Sequence, residues 1–172
     1  EADDMADGDI IDHILDSAGQ KGTGRWASIE SLKQGVDISM ITAACNARVM
    51  SHHLERRQKA SSLIHSPAVT AVEDKQAFAE MVREALYTGK IIAYAQGFSL
   101  MQDASHHFGW NLDLGTIASI FRAGCIIQAE FLNDITKAFF KDPELESLIF
   151  DDFFLSRTHR YPENLRKTHG LA

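Results

Sequence analysis

The sequence predicts an all-α protein, a multi-helix bundle around one core. Apolar residues recur at helical spacing along most of the 172 residues, and no stretch alternates in the manner of a β-strand. Because 45% of the residues are hydrophobic, a chain of this length can bury a core of its own. We therefore expect one helical domain over residues 1–155. A polar tail is expected over residues 156–172, where Pro162 occurs and no core-forming pattern continues.

The helices in the first half of the chain are predicted from periodicity and from glycine stop signals. A first helix is expected over residues 9–18 and ends at Gly19. A second, short helix is expected over residues 27–34, closed by Gly35. A longer helix follows over residues 38–64, and its second half is charged and expected to face solvent.

The second half of the chain begins after a turn around Pro67. Its helices are expected over residues 74–107, 114–122, 126–140 and 144–155. The longest is apolar or small on most sides around residues 90–100, which is typical of a helix buried among others. Asp113 is the expected N-cap of the next helix, and Asp142 with Pro143 forms an N-cap and first-turn pair for the last.

The most informative stretch is a loop with the sequence GQKGTG. It consists of Gly19, Gln20, Lys21, Gly22, Thr23 and Gly24. The three glycines let the backbone approach a ligand closely, the lysine adds a cation and the threonine adds a hydroxyl donor. Two interpretations follow, a structural turn and a phosphate-binding loop. The nucleotide-binding pattern G-x-x-x-x-G-K-[ST] is not met, because Gly24 is followed by Arg25 where a lysine is required.

A second candidate is Arg48, which lies in an apolar neighbourhood, AACNARVM, at residues 43–50. It falls on the half of its helix that is expected to be buried. A buried guanidinium requires a partner of opposite charge. The two interpretations are an internal salt bridge and a bound anion.

Composition argues against several classes of partner. The net charge of −7 disfavours nucleic acid as the main partner. No apolar run approaches the roughly 18 residues that cross a membrane, and the acidic start is unlike a targeting segment. Adjacent histidines on a helix point about 100° apart, so the pairs at residues 52–53 and 106–107 predict no metal site. A soluble, cytosolic protein is expected.

Several segments, in this order, resemble 6-phosphogluconate dehydrogenases. They are DSAGQKGTGRWASIESLKQGV at residues 16–36, ARVMS at 47–51, ALYTGKIIAYAQGF at 85–98, and Trp110-Asn111-Leu112 followed by IASIFRAGCII at 117–127 and AEFL at 129–132. The similarity covers roughly residues 9–154. The first and third segments are long and highly specific.

The resemblance implies the helical C-terminal portion of an enzyme that oxidatively decarboxylates 6-phosphogluconate to ribulose 5-phosphate and reduces NADP. Family members are cytosolic homodimers in the pentose phosphate pathway, with a dinucleotide-binding domain, a large helical domain and a C-terminal tail that enters the partner subunit. The resemblance implies that Lys21, Thr23 and Arg48 bind the substrate phosphate and that residues 19–24 form the phosphate loop. It favours the anion interpretation of both the loop and the arginine, and it assigns this portion substrate anchoring and most of the dimer surface.

Departures from the family pattern limit what is expected of this chain. A glycine-rich turn after a strand is missing, as is the helix with the lysine base and glutamate acid, so no catalytic or coenzyme-binding residue and no dinucleotide-binding domain is expected here. Gln128 and Ala129 stand where the family usually has arginine and serine, and Asp37 where it usually has proline. Two alternatives remain, a non-catalytic helical dimerisation or interaction protein derived from the fold, and a small phosphate- or nucleotide-binding module.

Overall fold

The computed structural model describes residues 7–65, 72–160 and 162–171, and its regular elements are all helical. The α-helices in these ranges are α1 Thr23–Gln34, α2 Ser39–His52, α3 Leu54–Leu63, α4 Lys75–Phe108, α5 Leu114–Ile120, α6 Leu132–Lys141, α7 Asp152–Arg160 and α8 Pro162–Leu171. Two short 3-10 helices, Ile10–His13 and Leu148–Phe150, complete the described elements. The predicted all-α class is confirmed.

The long helix α4 is the axis of the fold, and its bounds lie within a residue of the prediction. It starts after Asp74, whose carboxylate accepts hydrogen bonds from the backbone N–H groups of Gln76 and Ala77. It stops at Gly109, which has a φ of 65°, the left-handed conformation that glycine adopts without steric cost. None of the described helices is both long and apolar enough to cross a bilayer.

The hydrophobic core lies in the second half of the chain, between α4 and the helices that follow it. Its buried members are Ile91, Ala95, Phe98, Leu114, Ala118, Phe131, Leu132, Ile135, Ala138, Phe139, Leu148 and Phe154. The α5 and α6 helices pack so closely that a Cβ on Gly115 would lie 2.6 Å from the Phe140 ring. The predicted cap at Asp113 is confirmed, since its carboxylate accepts from the Thr116 N–H.

The first half of the chain attaches to this core through polar contacts at the start of α2. Gln96, on α4, accepts a hydrogen bond from the Met40 N–H at 3.0 Å and donates to the Asp37 carboxylate at 3.1 Å. The same carboxylate accepts from the Ser39 N–H at 2.9 Å. Asp37 and Gln96 therefore tie the beginning of α2 to α4.

The prediction of a helix over residues 9–18 is wrong. Only Ile10–His13 is helical, as one 3-10 turn. The apolar side chains that defined the pattern stay exposed within the described ranges, Ile11 and Leu15 by 75% and 74%. A helix this short is marginal in water unless burial of its apolar face stabilises it, and that burial is missing among the described residues.

The helix predicted over residues 38–64 is divided, and the helix predicted to start at Ala27 starts earlier. The division falls at His53, whose ψ of 57° takes the backbone out of the helical region between α2 and α3. The α1 helix begins at Thr23, because Gly22 adopts a φ of 101° and turns the chain into the helix there. The last two residues of the glycine loop thus belong to the first turn of α1.

Three predictions in the second half also differ from the structure. Residues 121–131 form turns, so α6 starts six residues later than expected. Asp142 ends α6 instead of capping a new helix, and its carboxylate accepts from the Glu144 N–H at 3.1 Å. Residues 156–171, expected to be a polar tail without a core-forming pattern, form the end of α7 and, beyond residue 161, α8. The latter packs along α4, where Asn164 hydrogen-bonds to Glu84.

Candidate functional site

The glycine loop lies along one face of α2. Residues Cys45, Arg48 and Ser51 are spaced three apart, which places them on that face. The Nε atom of Arg48 donates to the Gly19 carbonyl at 3.0 Å, and the Ser51 hydroxyl accepts from the Ala18 N–H at 3.0 Å. The loop therefore runs against α2 with its backbone held by side chains of the helix.

Cys45, the remaining residue on this face of α2, contacts the next part of the loop. The Cys45 thiol donates to the side-chain carbonyl of Gln20 at 3.1 Å. A Cβ on Gly24 would lie 3.5 Å from the Cys45 sulfur, an ordinary van der Waals distance, so the start of α1 lies directly beside α2 here. The Ser28 and Thr42 hydroxyls join the same two helices at 3.0 Å.

The loop leads directly into the N-terminus of α1. The Gly22 carbonyl accepts from the Trp26 N–H at 2.9 Å, and no side chain caps the helix at Gly22. The first N–H groups of a helix lack partners within it, and the helix dipole makes that end favourable for an anion. The loop thus presents a cation, a hydroxyl and an uncapped helix end in sequence.

Each predicted phosphate ligand lies at or beside this loop. Lys21 is exposed, and it forms no ion pair with any residue the structure describes. Thr23 is the exposed first residue of α1. Arg48 reaches the loop through its Nε atom, and its two terminal nitrogens have no hydrogen bond within the described part of the chain.

The prediction that Arg48 is buried is wrong. Its side chain is exposed, and α2 has no buried residue at all. Among the small residues that suggested burial, Ala43, Ala44 and Ala47 are exposed, so the apolar pattern does not mark a buried face here. The internal salt bridge considered from the sequence does not form with any described carboxylate.

Sequence reasoning missed Arg57, which joins α3 to the residues before the loop. Its terminal nitrogens donate to the Asp16 carboxylate at 2.8 Å, to the Asp16 carbonyl at 2.5 Å and to the Ser51 carbonyl at 3.1 Å. The hydrogen bond and charge of Arg57 lower the pKa of Asp16. No pattern singled out this arginine, because it lies in the charged stretch assigned to solvent.

The remaining departures from the family pattern lie away from the loop in the chain. Gln128 and Ala129 belong to the turns between α5 and α6, where Gln128 is exposed and Ala129 packs against the core. No group of three or more His, Cys, Asp or Glu side chains in the described ranges could hold a metal ion.

Replacing Gly22 with alanine is expected to destabilise the fold, whereas the same change at Gly19 is not. Alanine at a φ of 101° is strained, with a cost of about 1–3 kcal/mol. A Cβ on Gly19 meets nothing within 4 Å, and its φ is not in the left-handed region. Urea denaturation of the two variants measures the difference. Equal midpoints for both would show that the positive φ at Gly22 does not constrain the loop.

Fold and site together describe a helical domain that carries a candidate anion-binding loop. A family model, described as 6-phosphogluconate dehydrogenase, C-terminal domain, matches residues 1–172. The chain belongs to this family, and the family predicted from the sequence is confirmed.

Relatives show how much of such a protein the chain represents. The decarboxylating 6-phosphogluconate dehydrogenase of Lactococcus lactis subsp. lactis (strain IL1403) is 50% identical over 170 residues, which are 99% of this chain and 36% of the relative. The NADP(+)-dependent enzyme of Bacillus subtilis (strain 168) is 46% identical over 164 residues, 95% of this chain and 35% of the relative. The chain thus spans about a third of the length of these relatives.

A solved structure has the same fold. The 6-phosphogluconate dehydrogenase of Plasmodium falciparum superposes with a TM-score of 0.86 at 38% identity, covering 96% of this chain and 36% of that chain. That enzyme was described in its apo form, with its cofactor NADP+ and with its substrate 6-phosphogluconate.

Proposed function

We propose that this chain is the portion of a decarboxylating 6-phosphogluconate dehydrogenase that anchors the phosphate group of the substrate. In the complete enzyme the reaction is the oxidative decarboxylation of 6-phosphogluconate to ribulose 5-phosphate, with NADP as the hydride acceptor. Membership of the family supports the reaction class. The Plasmodium relative, described with 6-phosphogluconate and with NADP+, supports the substrate and the coenzyme.

The observation that carries the proposal is the hydrogen bond from Arg48 to the Gly19 carbonyl. This bond brings a cation on α2 to the same loop that carries Lys21, two residues further along. Because the bond uses Nε, the two terminal nitrogens of Arg48 remain available as a fork for phosphate oxygens. Two cations, the Thr23 hydroxyl and the N-terminus of α1 suit a dianion.

Anchoring of the phosphate contributes to the reaction through position. A phosphate held at one end of a six-carbon chain restricts where the reacting carbon lies, which lowers the entropic part of the barrier. The described residues offer no strand followed by a glycine turn and a helix, so they do not fit a dinucleotide. We therefore assign coenzyme binding and the chemical step to other parts of the complete protein.

Removing either cation is expected to weaken binding of 6-phosphogluconate. A charge-assisted hydrogen bond contributes enough that Lys21→Ala and Arg48→Ala should each lower the affinity by about tenfold or more. Isothermal calorimetry or a chemical-shift titration of this chain measures the effect. Lys33→Ala is the matched control, because Lys33 is an exposed cation on α1 that pairs with Glu30.

The ligand itself supplies a second control. Gluconate is the same sugar acid without the phosphate group, so its weaker binding should not depend on Lys21 or Arg48. Equal affinity of all variants for 6-phosphogluconate would place the phosphate elsewhere and refute the assignment.

A homodimer is the assembly we propose, and exposed apolar side chains support it. Trp26, Ile29 and Leu32 recur every three residues on α1 and are all exposed, Leu32 by 84%. Large exposed patches of this kind mark interaction surfaces. The same stripe also favours the alternative of a non-catalytic interaction protein. Loss of phosphate binding in the Lys21 and Arg48 variants discriminates the two, because that alternative needs no phosphate site.

A further inference from the structure

The guanidinium of Arg57 makes three hydrogen bonds, two to the chain just before the glycine loop and one to the end of α2. Two of them reach Asp16, one to the carboxylate and one to the backbone carbonyl, and the third reaches the Ser51 carbonyl at the end of α2. The planar fork of an arginine, with several N–H donors in fixed directions, suits three acceptors arranged in this way. The side chain therefore links α3, α2 and the loop approach at one point.

Ser51 extends this link toward the loop. Its carbonyl accepts from Arg57, and its hydroxyl accepts from the Ala18 N–H. Together with the bond from Arg48 to Gly19, these contacts hold the backbone at three positions directly before Lys21. The apolar side chains of the approach add little, since Ile14 and Leu15 are exposed.

The charge of Arg57 is used within the protein. Its side chain is 29% exposed and pairs with Asp16 at 2.8 Å, which lowers the pKa of that carboxyl. Its Nε is buried and has no hydrogen-bond partner in the described chain. A buried donor without a partner costs free energy, so this conformation of the side chain leaves one N–H group unsatisfied while the terminal nitrogens make their three bonds. Arg57 is thus not free to bind a ligand, unlike Lys21.

We propose that Arg57 is a positioning residue, which clamps the approach to the glycine loop onto α2 and α3 and so sets where the loop presents Lys21. The proposal rests on the proposed function of this loop as the phosphate site. Without the clamp, the bonds from Ser51 and Arg48 still hold residues 18 and 19, but Asp16 is released, so more of the ordering of this segment would occur when the ligand binds. The entropy of that ordering would be subtracted from the binding free energy.

The test compares Arg57→Ala, Asp16→Asn and Arg57→Lys with the control Arg56→Ala. The control removes the same charge from the neighbouring, exposed position of the same helix. We expect Arg57→Ala to weaken 6-phosphogluconate binding by about tenfold and Asp16→Asn, which removes only the ion pair, by about threefold, whereas Arg56→Ala should leave it within about twofold. Arg57→Lys should lie between, because an ammonium keeps the charge beside Asp16 but is not a fork. The two clamp changes should be non-additive in the double variant.

Amide hydrogen exchange separates positioning from general loss of stability. Exchange should accelerate at residues 18–22 in the clamp variants and stay unchanged along α4. Faster exchange throughout α4, or wild-type affinity in Asp16→Asn, would overturn the proposal. Asp16 is exposed, so this variant serves even if Arg57→Ala does not fold. If Lys21→Ala and Arg48→Ala bind as wild type, the proposed function fails instead, which the clamp variants alone would not show.

Discussion

The 172-residue chain, purified by itself, is expected to form no NADPH when it is supplied with 6-phosphogluconate and NADP. Its described elements are all helices, and they supply a candidate phosphate loop without a dinucleotide-binding unit among them. Positioning a substrate accelerates a reaction only when an acceptor for the hydride and a base for the proton are positioned beside it. The increase in NADPH absorbance with time is the measurement.

A positive control and a folding control make this result interpretable. The Lactococcus lactis relative, which is about three times as long as the matched segment, should turn over under the same conditions. The chain in the same assay mixture should still bind 6-phosphogluconate, which shows that inactivity does not come from unfolding. Substrate-dependent NADPH formation above a blank would contradict the proposal that coenzyme binding and the chemical step belong to other parts of the enzyme.

The elements that were predictable from the sequence are those with a local cap. Asp74 and Gly109 bracket α4, and Asp113 starts α5, each through a hydrogen bond or a backbone angle that the residue type itself favours. These signals act within four residues of the helix end, so no knowledge of the fold is needed to use them. The all-α fold class was predictable as well, from the helical spacing of the apolar residues.

The elements that were not predictable depend on contacts distant in sequence. The apolar pattern at residues 9–18 is helical only if something covers it, and in the described chain nothing does. The break at His53 has neither glycine nor proline to announce it. It redirects α3 so that Arg57 reaches back to Ser51 and Asp16. A periodic pattern cannot contain that information, because Asp16, which Arg57 contacts after the break, lies 37 residues before His53.

The residues of the candidate site also divide into those that the local sequence indicates and those that it does not. The loop was visible because three glycines and a lysine within six residues are an unusual local composition. Arg48 was visible as a charge among small residues, although the inferred burial was wrong. Cys45 and Ser51 could have been found from their spacing of three residues on either side of Arg48. Asp16 and Arg57 could not, since a pair 41 residues apart has no signature in one sequence.

Self-association is the second large effect that we expect. The chain of 19.1 kDa should elute as a dimer or a larger assembly at micromolar concentration, with at least twice the monomer mass. On α4, Leu86 is 73% exposed although the helix passes through the core, and the α1 stripe of Trp26, Ile29 and Leu32 is also uncovered. Contact between two copies removes such surface from water, and each Å² of apolar area buried contributes roughly 25 cal/mol.

Light scattering coupled to size-exclusion chromatography, over a range of protein concentrations, measures the mass. Leu86→Lys should shift the equilibrium toward the monomer, because a charge would have to be buried in the interface. Gln58→Lys on α3 is the matched control: it adds the same charge at an exposed polar position and should leave the mass unchanged. A stable monomer of the wild-type chain at these concentrations would contradict the homodimer. It would then require that the exposed side chains of α1 and α4 be covered in another way, by the portion of the enzyme that the chain does not contain.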